Sequence, residues 1–423
     1  MFTSGVILAL TYVGLVFTRL PKVPLDRPFA AYTGAVLMVL LGVLTLDQAV
    51  SAIDFNTIGL LLGMMLLAVV LKQAGLFTFL AVKSVAMAKS PGKLLVAVIV
   101  ASAVGSAFLV NDVVVLLFTP VVIQACRLQR VNPVPFLTGE GMASNIGSAA
   151  TIVGNPQNML IGVTSGISFA RFFAHLAPVA AVSLLILLAV MWLFYRRKLG
   201  MPPKPGEVPM QGGSTESAAP PEIDYAALCR CIPLVVAVIA AFFASSVIGV
   251  GVPIIALTAG VVAIVMSGMK PSQVIQQVDW VLLLFFAGLF VVIGGARHTG
   301  LLDILLEPLQ AEPSLAGIVS LHLISATVSQ VVSNVPLTVL LIPLLEDVPG
   351  DVLWLSLSSA ATLAGNATII GSVANIIVAE QAYKDGVLVG FGEFLKVGLV
   401  VTVLTLIASV GIILFQYEMG WLI

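Results

Sequence analysis

AYTGAVLMVLLGVLTLDQAVSAIDFNTIGLLLGMMLLAVVLKQAGL, residues 31–76, and ALTAGVVAIVMSGMKPSQVIQQVDWVLLLFFAGLFVVIGGARHTGL, residues 256–301, align at a shift of 225 positions without a gap. Thr33 meets Thr258, Gln48 meets Gln273, Asp54 meets Asp279, Gly63 meets Gly288 and Gly75 meets Gly300. At shifts of 223 and then 217 the match continues, pairing Asn111 with Asn334, Pro120 with Pro343, Thr151 with Thr368, Gly154 with Gly371 and Asn158 with Asn375. The chain is therefore one unit written twice, with small length changes between elements.

Each unit is built for lipid. Of 423 residues, 60% are hydrophobic and 9% charged, against roughly 25% charged in a soluble protein. So few charges cannot cover a water-facing surface of this size, which excludes a soluble enzyme. The 37 Gly and 23 Pro exceed what plain anchor helices need and point to helices interrupted inside the bilayer. A net charge of −1 argues against nucleic acid as a partner. Cys126, Cys229 and Cys231 form no disulfide, haem or zinc pattern, so no metal site and no cofactor is expected.

Apolar stretches of spanning length lie near 4–18, 29–46, 55–72, 174–195, 231–248, 250–267, 280–295 and 396–416. The first carries neither a basic n-region nor a small-residue cleavage site and reads as a retained helix. Two further apolar regions, about 92–165 and 314–380, are studded with Gly, Asn, Ser, Thr and Pro. The polar stretch 196–228 is rich in Pro, Gly and Ser and reads as a linker. It separates an N-terminal repeat, 1–195, from a C-terminal repeat, 229–423. Five crossings per repeat plus a re-entrant hairpin, tipped at Asn111 and at Asn334, give an odd count that inverts the second repeat. With the loop at Arg196, Arg197 and Lys198 placed in the cytoplasm, every Lys and Arg except Arg171 and Arg297 falls on that side, as the positive-inside rule requires. The fold expected is thus an all-α polytopic membrane protein of two inverted-topology repeats, with discontinuous helices at the midplane and both termini outside.

The polar residues inside these regions carry the chemistry. Tip one reads LVNDVVVLLFTP, with Asn111 and Asp112; tip two reads VVSNVPLTVLLIP, with Ser333 and Asn334. Lipid cannot satisfy such groups, so they must face protein or a cavity. Next in each repeat comes a broken segment: SNIGSAATIVGNPQN, with Ser144, Asn145, Thr151, Asn155 and Asn158, and LAGNATIIGSVAN, with Asn366, Thr368, Ser372 and Asn375. Glycines there permit unwound backbone, and the amides and hydroxyls ring a small polar pocket. Packing of small residues between helices is the plainer role of any single Ser or Thr. The duplicated amides Asn111, Asn334, Asn158 and Asn375 read instead as binding groups, because burying an amide twice is costly unless something needs it. Two acids break the symmetry: Asp112 and Glu140 meet Val335 and Leu357 in the other repeat, which makes both candidate proton carriers. A solvated vestibule position is the alternative for Glu140. Asp54 and Asp279 read as helix N-caps. Neither tip nor either broken segment holds Lys or Arg, which favours a neutral or cationic cargo over an anion.

At VNDVVVLLFTPVVI (110–123), SNIGSAATIVGNPQNMLIG (144–162), SNVPLTVLLIPLL (333–345) and ATIIGSVANIIVAE (367–380) the chain resembles the ion transporter superfamily, specifically its arsenite/antimonite permease (ArsB) and sodium/proton antiporter (NhaD-type) branch. The dicarboxylate carriers have Ser-Asn-Thr at each tip, where this chain has Asn111-Asp112-Val113 and Ser333-Asn334-Val335. The resemblance implies a proton-coupled exporter of arsenite and antimonite, resident in the plasma membrane of a bacterium or archaeon. It further implies that any coupling to ATP needs a separate ATPase subunit, and that the carrier is a homodimer, as related carriers often are. A sodium/proton antiporter or small-anion permease of the same superfamily, and an uncoupled channel or sensory module, are the rival readings.

Overall fold

The computed structural model of the protein describes residues 1–16, 26–76, 79, 90–200, 225–309 and 312–422. Most of the expected linker, 201–224, lies outside them, as do Arg19, Lys22, Lys83, Lys89 and Lys204. Among the described residues the structure is helical throughout. The first repeat runs α1 (Phe2–Val16), α2 (Arg27–Leu40), the short α3 (Leu46–Ser51), α4 (Phe55–Gln73), α5 (Pro91–Phe108), α6 (Asn111–Gln129), α7 (Val134–Ser148), α8 (Pro156–Ser165) and α9 (Phe169–Tyr195). The second runs α10 (Tyr225–Ile248), α11 (Val252–Ser267), α12 (Pro271–Ile275), α13 (Trp280–His298), α14 (Leu301–Leu306), α15 (Leu315–Val332), α16 (Asn334–Leu345), α17 (Val352–Ala364), α18 (Val373–Lys384) and α19 (Phe391–Glu418). Eight of these helices are long and apolar enough to cross a membrane, and the chain is an integral membrane protein.

Local chemistry sets the ends of the elements. The Asp54 carboxylate caps α4 by accepting from the Asn56 amide, and its duplicate Asp279 caps α13 by accepting from Leu282. Ser90 caps α5 with Pro91 in its first turn, where a missing N–H costs nothing. The expected span at 29–46 is shorter than the apolar stretch, because the chain turns out of α2 through Gly42 at φ 70°. Pro120 in α6 and Pro343 in α16 each stand inside a hairpin arm at the duplicated place, removing one backbone donor from the helix.

The repeats pack as an inverted pair. Gly63 of α4 lies so close to the backbone of Ala256 in α11 that no Cβ could fit, and the duplicate Gly288 of α13 lies close enough to the backbone of Ala31 in α2 that a Cβ would meet it at 2.8 Å. The partners exchange places between repeats, as a two-fold axis demands. The same exchange pairs α6 with α18 and α16 with α8. The chain thus has two inverted repeats of crossing helices plus a hairpin, and the axis brings both hairpins and both broken segments to the centre.

Candidate functional site

Hairpin one turns at Leu109 and Val110, and hairpin two at Ser333, so α6 begins at Asn111 and α16 at Asn334. Ser333 is held at φ 75°, strained backbone for a residue with a Cβ and worth about 1–3 kcal/mol. Tip one is stitched to its own broken segment: the Asn111 amide N–H donates to the Gly154 carbonyl at 2.9 Å. Between α7 and α8, and between α17 and α18, residues 149–155 and 365–372 leave the α-helix, apart from one 3-10 turn at Ile369–Gly371.

The duplicated amides Asn158 and Asn375 do one job twice. Asn158 Nδ2 donates to the Ser148 and Thr151 carbonyls at 3.1 and 3.0 Å. Asn375 Nδ2 donates to the Gly365 and Thr368 carbonyls at 2.9 and 3.2 Å. Each therefore satisfies carbonyls that unwinding has released, where the bilayer offers no water. The remaining amides join the repeats. Asn145 Nδ2 donates to Asn366 Oδ1 at 2.9 Å and to Asn375 Oδ1 at 3.4 Å, while Asn145 Oδ1 accepts from Ser372 Oγ at 2.9 Å and from Asn111 Nδ2 at 3.2 Å. In the opposite sense, Thr362 Oγ1 accepts from Asn155 Nδ2 at 3.2 Å and from Gln157 Nε2 at 3.3 Å, and donates to Asn158 Oδ1 at 3.3 Å.

Beside this network lies a cavity of about 980 Å³. Of the sequence-derived candidates, Asn111, Asp112, Ser333, Asn334 and Ser372 line it. Ser144, Asn145, Thr151, Asn155, Asn158, Asn366, Thr368 and Asn375 stand behind that lining. Ser144 Oγ bonds Ser106 Oγ at 3.0 Å, Thr151 Oγ1 donates to the Ala107 carbonyl, and Thr368 Oγ1 donates to Gln330 Oε1 at 2.9 Å. Asn334 Oδ1 is buried and has no hydrogen-bond partner. Glu140 is absent from the lining. It is wholly buried where α5, α6 and α7 meet, accepting from Thr119 Oγ1 at 2.8 Å, and its Oε2 has no partner. A solvated vestibule position does not describe it.

Residues not singled out from the sequence complete the wall. The first turns of four helices line the cavity: Asn111 and Asp112 of α6, Pro156 and Gln157 of α8, Asn334 to Pro336 of α16, and Val373 of α18. No side chain caps α16 or α18, so their first N–H groups are free to face the space, whereas in α6 the Asn111 N–H is held by the Gly154 carbonyl and the Asp112 N–H by Asn111 Oδ1 at 2.9 Å. Arg27, at the start of α2, and Lys384, at the end of α18, also line it. The expected absence of fixed cations therefore holds for the tips and broken segments but not for the cavity. Arg27 lies 84 positions before Asn111 in the chain, and no motif around it marked it out.

The cavity is one-sided. Leu282 and Phe285 line it from the first half of α13, whereas Arg297 at the other end of α13 pairs with Glu346 beyond the far end of α16, at 2.6 Å. At that end of the molecule Arg171 also pairs with Asp351. No group of three or more His, Cys, Asp or Glu able to hold a metal ion occurs among the described residues.

Residues 12–353 match the family described as citrate transporter, CitMHS. The chain is 31% identical to a 46 kDa membrane protein of Mycobacterium leprae, over 97% of this chain and 98% of that one. It is 32% identical to an uncharacterized transporter of Mycobacterium tuberculosis, over 97% and 99%. It is 28% identical to the P protein of Sus scrofa, over 99% of this chain and 60% of that one. In fold it is similar to the YdaH transporter of Alcanivorax borkumensis, with a TM-score of 0.63 and 17% identity over 99% and 98% of the two chains. The superfamily-level kinship read from the motifs thus stands, at a coarser level than the arsenite/antimonite branch. With both repeats covered by full-length relatives, the chain belongs to the citrate transporter family.

Proposed function

We propose that this secondary transporter carries a small oxyanion, of the carboxylate class that its family's name points to, by alternating access through the midplane cavity. One observation carries the reading: the uncapped starts of α16 and α18 and the cations Arg27 and Lys384 line a single space between the two tips, alongside the carboxylates Asp26, Asp112 and Glu380. The uncapped N-termini of α16 and α18 and a guanidinium favour negative charge, and each such terminus contributes about 0.3–1 kcal/mol. The cargo meets Asn111, Asn334 and Ser372 as hydrogen-bonding partners and Asp112 as the one tip carboxyl. Asp112 repels an anion when ionised and accepts one when protonated, so proton and anion travel together. The positive-inside count assigns the open face, with Arg27 and Lys384, to the cytoplasm, and both termini to the outside of a bacterial or archaeal plasma membrane.

Arsenite and antimonite export is the second reading, favoured by the amide and hydroxyl groups of Asn111, Ser333, Asn334 and Ser372 in the lining. A neutral trihydroxide wants such partners and no fixed cation. In that reading the proton on Asp112 and the cargo alternate rather than travel together. Proteoliposomes loaded with citrate or with arsenite decide. Citrate counterflow with inward proton movement supports the first reading, and arsenite movement without citrate movement replaces it.

A further inference from the structure

Arg27 breaks the symmetry of the fold. Its place in the second repeat, at the shift that pairs Ala31 with Ala256, is Val252 at the start of α11. The repeats are inverted, so Arg27 and Val252 mark opposite membrane faces. Arg27 lines the cavity and, among the described residues, has no ion-pair partner. The neighbouring Asp26 carboxylate is occupied in capping α2, where it accepts from the Phe29 amide at 2.9 Å. Arg27 is half-buried, and the carboxylates that line the same cavity, Asp26 and Glu380, make no ion pair with it, which leaves its guanidinium open to an anion in the cavity.

Arg27 also belongs to a different part of the molecule from the tips. It sits on α2, which packs on α1 and α13, whereas the tips are carried by α5, α6, α15 and α16, packed on α7 and α17. Alternating access closes the present opening and exposes the site to the other face. There the residue equivalent to Arg27 is an aliphatic Val252, which offers an anion nothing.

We propose that Arg27 is a specificity-determining residue acting on one membrane face only: it captures the anionic cargo while the cavity is open on its side and gives the carrier unequal affinities on its two faces. This rests on the oxyanion reading above. Removing one charge-assisted contact to a carboxylate weakens binding by about tenfold or more.

The test measures the half-saturating concentration of citrate on each face, in right-side-out and inverted vesicles of the full chain. Wild type gives the lower value on the Arg27 face. Arg27→Gln brings the ratio between the faces close to one, a shift of about tenfold, and Arg27→Lys retains part of the difference. Val252→Arg lowers the value on the opposite face, and this gain cannot come from a folding defect. An unchanged ratio in Arg27→Gln, or a loss of the same size on both faces, overturns the sided role and leaves the oxyanion reading in place. A wild type that carries citrate on neither face overturns the oxyanion reading and this inference with it.

Discussion

Asn145 and Thr362 occupy equivalent places in the two repeats, and each reaches across the axis to hold the other repeat's broken segment. Asn145 binds Asn366, Ser372 and Asn375, while Thr362 binds Asn155, Gln157 and Asn158. The midplane is thus a crossed brace: each repeat satisfies its own unwound carbonyls through Asn158 or Asn375, and Asn145 and Thr362 tie the side chains of the two broken segments together. That brace lets glycine-rich, non-helical backbone persist at membrane depth.

Asn145→Ala leaves Ser372 Oγ, Asn111 Nδ2 and Asn366 Oδ1 without the partner they now share. Each orphaned buried group costs about 1–3 kcal/mol, so the variant should lose several degrees of thermal midpoint in detergent together with its transport. Thr362→Val should show the same loss on a smaller scale. An unchanged midpoint in Asn145→Ala would dispose of the brace.

Asn334 behaves oppositely, because its Oδ1 has no partner to lose. Asn334→Ala should leave the thermal midpoint within about a degree of wild type while raising the half-saturating cargo concentration about tenfold. Transport titration beside a melting curve on the same preparation reads both. A large fall in stability with unaltered affinity would move Asn334 from the site to the scaffold.

Asp112→Asn removes the one carboxyl at the tips and keeps its shape. Cargo should still exchange between equal concentrations, but a pH gradient should no longer drive its accumulation. Counterflow and gradient-driven uptake measured side by side separate the two, and persistent pH-driven accumulation would require another proton carrier. Glu140 is then the residue to replace, since its buried Oε2 is unpaired.

Gly63→Val and Gly288→Val place a branched side chain where Ala256 and Ala31 leave no room for a single carbon. Overpacking of this kind costs about 1–3 kcal/mol or more, and the two variants should be damaged alike, since they sit at exchanged places of one interface. Folded yield after size-exclusion chromatography checks this. A tolerant Gly63→Val beside a damaged Gly288→Val would contradict the two-fold.

While the ends of the helices at Ser148 and Ala364 came from the structure, duplication, the inverted arrangement, the hairpin turns at Asn111 and Asn334 and broken segments within 144–158 and 363–375 were all determined by the sequence alone. Each follows from a local feature: a repeated pattern, an odd count of apolar spans, or a cluster of Gly and Asn that cannot stay helical in lipid. Which amide does which work was decided only by the tertiary structure. Asn158, Asn375 and Asn334 look alike in the chain, yet the first two donate to unwound carbonyls while the third keeps a free oxygen. Arg27 joins the cavity from a helix far away in sequence, and Glu140 is sealed between helices although it stands only four residues from Ser144. A hydrogen-bond partner and a cavity wall are supplied by whatever packing brings within about 3 Å, and no spacing along one strand of sequence carries that information.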